Sequence, residues 1–169
     1  MRTHRVIVAM TLALVLQTTL ARFVVRGAVA VDLVLVAVVY VSLTSGPSTG
    51  LLSGAAAGLA QDALSTGVIG IGGLAKTVVG YFAGIISSQL IVTQPLPRFV
   101  VFAAATLVHA AISIGLYLLL ELRQFASPYA AVAGQALGNA VVGVVAFQLS
   151  EALPGVVERR RAQKARIRR

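Results

Sequence analysis

Five carboxylates and two histidines make up nearly all the acid–base chemistry available to this 169-residue chain. A general acid and base must converge on one bond, yet Asp32, Asp62, Glu121, Glu151 and Glu158 are scattered along the sequence. No serine stands in a nucleophile-elbow context. With no cysteine in the chain, thiolate catalysis, a thiolate metal site and a disulfide framework are all excluded. Gly70-Ile71-Gly72-Gly73 ahead of Lys76-Thr77 comes near a phosphate loop, but the glycine spacing does not fit one. The residues offer no catalytic, metal or cofactor site, so the chain reads as a non-enzyme.

The remaining polar residues sit inside apolar runs, where each needs a partner. Asp62 and Lys76 are one loop apart on consecutive segments. An intramembrane charge is costly and usually paired, so a structural Asp62–Lys76 ion pair is expected; a proton-coupled carboxylate is the functional alternative. His109 has no second histidine near it, which suits an interhelical hydrogen bond better than a metal or proton site. Gln135 and Asn139 share one face of a helix at four-residue spacing, and amides so placed can bond across helices or line a ligand pocket.

Small residues repeat at the same interval. Gly50, Gly54 and Gly58 lie on one segment, Gly80 and Gly84 on the next, and Ala130, Gly134 and Gly138 on the last. Such stripes let two helix backbones approach closely. They serve packing within a bundle or docking of a partner's helix.

These residues must be held by elements whose solvent is lipid. The chain is 58% apolar and 11% charged, with a mean hydropathy of +0.92. A soluble domain averages roughly 45–50% apolar and about 25% charged residues. Six apolar stretches can be read: Val6–Ala21, Val29–Leu43, Leu51–Ala63, Leu74–Val92, Phe99–Leu120 and Tyr129–Leu149. They are apolar throughout and lack the alternation of a membrane barrel. The expected fold is an all-α integral membrane protein, a six-transmembrane-helix bundle over residues 1–157 followed by a basic cytoplasmic tail over 158–169.

Charge sets the orientation. Half of the fourteen basic residues lie in that tail, as Arg159, Arg160, Arg161, Lys164, Arg166, Arg168 and Arg169. Six crossings with the N-terminus inside place these with Arg2, Arg5 and Arg98 in the cytoplasm, leaving Arg22, Arg26 and Arg123 outside. The net charge of +9 is therefore mostly a tail that holds topology and touches lipid headgroups, at about 1 kcal/mol per basic residue. It is not read as a nucleic-acid surface.

The middle of the chain carries an ordered set of motifs. It opens on Asp32-Leu33 leading into an apolar helix and continues through Gly46-Pro47. Gly50, Gly54, Gly58-Leu59 and Asp62 follow, then Gly67 and Gly70, and the run closes on Gly80-Tyr81-Phe82-Ala83-Gly84. This order resembles the bacterial rod shape-determining protein MreD family, with Val31 where that family often has proline. The resemblance implies a non-catalytic scaffold of the cell-elongation complex in the inner membrane, positioning peptidoglycan synthesis for cell-shape control. The implied partners are MreC and, directly or through it, the MreB filament, RodA and its paired transpeptidase. It also implies a fold similar to the substrate-binding subunits of energy-coupling-factor transporters. The alternative is a substrate-binding membrane subunit for a vitamin-type solute, with its pocket near Gln135 and Asn139.

Overall fold

The computed structural model of the chain describes residues 3–23, 31–65, 67–89, 94–122 and 129–167. Among them are six helices and no strand: α1 (Thr3–Phe23), α2 (Leu33–Ser45), α3 (Pro47–Leu64), α4 (Ile71–Gln89), α5 (Pro95–Leu119) and α6 (Tyr129–Ile167). Arg2, Arg26, Arg123, Arg168 and Arg169, used above to orient the chain, lie outside the described residues. The tail expected from Glu158 follows α6 as a continuation of its helix to Ile167.

α2 is the axis of the bundle. Val34, Leu35, Val36, Val38, Val39 and Val41 are all buried, so the helix is apolar around its whole circumference, as a central helix must be. It touches each of the other five. Its 13 residues span only about 20 Å at 1.5 Å per residue, short of a roughly 30 Å hydrocarbon layer. Its N-terminal end, at Asp32, is buried in the protein. At the lower end Gly46, in the left-handed region at φ +88°, closes α2 through its N–H to the Ser42 carbonyl at 2.9 Å. Pro47 then opens α3, where the missing N–H costs nothing.

α3 and α4 run antiparallel with their backbones in contact. Gly50 faces Gly80, Gly54 faces the Lys76 carbonyl, Gly58 faces Gly73 and Gly84 faces Pro47. A methyl group at Gly58 would come within 2.7 Å of the Gly73 Cα. Side chains are excluded from this seam, and dispersion between the two backbones replaces them.

α5 and α6 are joined at the opposite end from the α2 N-terminus. The buried Arg98 guanidinium lies 4.4 Å from the centre of the Phe147 ring and grips both carboxylate oxygens of Glu151. Phe102 and Tyr40 pack on the same ring.

Large apolar side chains cover the outside, among them Ile7, Leu12 and Leu16 on α1, Val100 and Leu107 on α5, and Leu137, Val141 and Val145 on α6. Among the described residues α4, α5 and α6 up to Ala152 are long and apolar enough to cross a membrane.

Candidate functional site: a polar clasp at the start of α2

The first turn of any helix leaves backbone N–H groups without internal acceptors, and α2 makes its first turn inside the protein. Three side chains satisfy three of these donors. Asp32 Oδ1 accepts the Leu35 N–H at 2.9 Å, an ordinary N-cap. Asn139 Oδ1, from α6, accepts the Asp32 N–H at 2.9 Å. Gln17 Oε1, from α1, accepts the Leu33 N–H at 2.8 Å. The expected second stretch began at Val29; the described helix begins at Leu33 because Asp32 caps it, with Val29 and Ala30 outside the described residues.

The second carboxylate oxygen of Asp32 meets Lys76 Nζ at 3.0 Å, with side-chain exposures of 7% and 3%. That corrects the expected Asp62–Lys76 pair. Proximity in sequence favoured Asp62, but α4 carries Lys76 one turn beyond the α3–α4 loop, where the capped end of α2 lies against it. Lys76 Nζ is also 3.2 Å from His109 Nε2 on α5. An ammonium has no lone pair, so Nε2 is the acceptor and the ring is neutral with its proton on Nδ1.

Asp62 has a different task. Its Oδ2 accepts the N–H groups of Gly70 and Gly73, each at 2.9 Å. Gly70 (φ +105°) stands at the cap position of α4 and has no side chain to cap with. The preceding helix supplies the carboxylate instead, at the positive end of the helix dipole. A Cβ at Gly72 would strike Asp62 Oδ1.

Asn139 is engaged at both ends of its amide, since its nitrogen donates to Thr106 Oγ1 at 3.0 Å and Thr106 in turn donates to the Phe102 carbonyl at 2.9 Å. Gln135, one turn earlier on α6, is half-buried. Of the residues singled out in the sequence, Lys76, His109 and Asn139 thus gather around Asp32, whereas Gly54, Gly58, Gly80 and Gly84 lie in the α3–α4 seam. Gly134 and Gly138 are half-buried on α6.

What the clasp can do chemically is limited. Asp32 is paired with Lys76, and one oxygen of Asp62 is held by two N–H donors. The clasp's evident work is to fix α1, α4, α5 and α6 against one end of α2.

The model of one family, the rod shape-determining protein MreD, matches residues 2–150. The chain belongs to the MreD family. No curated protein and no solved structure matches it. Membership in the MreD family implies a part in determining rod shape. It also gives the motif residues their setting: Asp32 and Leu33 form the clasped end of α2, Asp62 caps α4, and Gly80 and Gly84 lie on Gly50 and Pro47. Sequence reasoning missed Asp32 as the partner of Lys76, and it missed Thr106 and the Arg98–Glu151 clamp. Thr106 shares a helix face with His109 at three-residue spacing, a signal that could have drawn it in.

Proposed function

We propose that this MreD-family chain is a six-span inner-membrane scaffold of the cell-elongation complex. It binds MreC and, directly or through MreC, helps position MreB, RodA and the paired transpeptidase for peptidoglycan synthesis. The observation that carries this reading is the family match over residues 2–150 on a bundle whose outer faces are apolar. Both termini lie in the cytoplasm, following the basic residues, and the Asp32 clasp then lies in the outer half of the membrane.

A scaffold needs a fixed shape and a free face. The clasp supports the first, because it ties five helices through directional bonds. For the second, the stripes on α3 and α4 fill one another, which leaves the Gly134/Gly138 notch of α6 as the docking place for MreC's single helix. Lipid is the other neighbour of these faces, and the basic tail rests on anionic headgroups.

Purification of the tagged chain from membranes in mild detergent, followed by detection of MreC, tests the proposal. MreC is expected to travel with the wild type and to be largely lost from Gly134→Leu/Gly138→Leu at an unchanged melting temperature. Undiminished recovery by that variant would move the docking site elsewhere, and absence of MreC from the wild type would reject the scaffold.

A further inference from the structure

Beside the clasp, among α3, α4 and α5, lies a cavity of about 240 Å³ whose lining includes Gln61, Asp62, Lys76, His109 and Ser113, together with Asp32 from the clasp. Its charges do not cancel. Asp32 and Lys76 neutralise each other at 3.0 Å, and His109, as the acceptor from Lys76, is neutral. Asp62 therefore leaves the lining with one net negative charge. Both of its hydrogen bonds fall on Oδ2; among the described residues Oδ1 accepts none. Two residues of the lining, Gln61 and Ser113, each carry a buried polar atom, Oε1 and Oγ, without a hydrogen-bond partner among the described residues. Buried polar atoms are nearly always partnered, and a charge at membrane depth seeks its opposite. An anion would face Asp62, and a neutral guest would leave the charge unmet. A bare metal ion would fill little of the space.

We propose that this cavity binds a small organic monocation, a primary ammonium or guanidinium head whose N–H groups reach Asp62, Gln61 and Ser113. The fan of donors on such a head matches separated acceptors in a way that a point charge does not. The head comes either from a free amine or from a lysine or arginine side chain of another protein on the outer side. The inference rests on the proposed function only for the membrane orientation that puts the cavity on the outer side; the Gly134/Gly138 notch does not touch it.

The test uses the full-length chain in detergent with choline chloride as the only salt, following the unfolding midpoint. n-Butylammonium chloride is the first probe, and a short peptide with one lysine is the second. Its acetyl-lysine counterpart and sodium chloride are the controls. A saturable rise in midpoint with butylammonium or the lysine peptide, absent with both controls, is expected. Saturation by butylammonium at the lower concentration identifies a free amine, and saturation by the peptide identifies a protein side chain. Ser113→Ala and Gln61→Leu should each raise the half-saturating concentration about tenfold, the equivalent of one hydrogen bond to a charged group. Asp62→Asn should abolish the rise, but it also loosens the α4 cap, so Ser113→Ala and Gln61→Leu carry the decision. No saturable rise, an equal rise with sodium, or a rise unchanged in both of those variants would overturn the proposal.

Discussion

Asn139 accepts the backbone N–H of Asp32 at 2.9 Å across 107 positions of sequence. A side chain of the last helix thus completes the first turn of the second. This bond does what water does at the end of an exposed helix, between two residues buried inside the protein.

Replacing Asn139 with the similarly sized Leu should cost about 1–3 kcal/mol, because the Asp32 N–H is left buried without an acceptor. Thr106→Val should cost less, since it removes a side-chain link but orphans no backbone donor of α2. Unfolding midpoints of the two variants in detergent give the comparison. A larger loss for Thr106→Val would show that the α2 cap is not the important half of the Asn139 contact.

Lys76 pairs with Asp32 at 3.0 Å, whereas Asp62 is held by the Gly70 and Gly73 N–H groups. Lys76→Met alone strands the Asp32 carboxylate and should destabilise the chain by about 3–5 kcal/mol, as breaking one side of a buried pair does. Adding Asp32→Asn should recover much of that loss, whereas adding Asp62→Asn should make matters worse by its own separate amount. A double-mutant cycle by denaturant titration reads both couplings. Strong coupling to Asp62 would restore the pairing that sequence proximity suggests.

The α3–α4 seam admits no side chain at Gly50 or Gly80. Gly80→Ala places a methyl group against the Gly50 carbonyl, and overpacking of this kind costs roughly 1–3 kcal/mol. Gly115→Ala, where an added Cβ meets nothing within 4 Å, should be neutral or stabilising by about 0.5–1 kcal/mol through helix propensity. Equal effects at the two sites would deny that the backbones touch.

Much of this arrangement is legible in the sequence. The six apolar runs correspond to the six helices, and the four-residue glycine spacing anticipates faces on which backbones meet. Helix boundaries shift where caps decide them: α3 begins at Pro47, four residues before the first leucine of its run, because Gly46 and Pro47 form a turn and a start in two residues. Pairing is less legible. Lys76 has two candidate aspartates, and only the depth at which α2 ends selects Asp32. The Arg98–Glu151 clamp was hidden for a related reason, since an arginine after two prolines reads as an interfacial loop until α5 is seen to start at Pro95.

Arg98 and Glu151 differ sharply in burial, with side-chain exposures of 6% and 58%. Glu151→Gln should therefore change stability little, as loss of an exposed ion pair does. Arg98→Leu removes the grip on Glu151 and the cation over Phe147, the latter worth about 0.5–2 kcal/mol by itself. Thermal unfolding of the two variants should rank Arg98→Leu as the more damaging, and the reverse order would place the clamp's value in the exposed carboxylate.

In the proposed scaffold the charges of the clasp serve to hold the shape of the bundle. Asp32→Asn/Lys76→Gln keeps polar, hydrogen-bonding groups at both positions while removing both charges. Cells in which this variant replaces the wild-type chain should remain rods, with MreC still recovered alongside it. Rounded cells despite a folded variant that retains MreC would mean that the charges themselves act, and would contradict the scaffold reading.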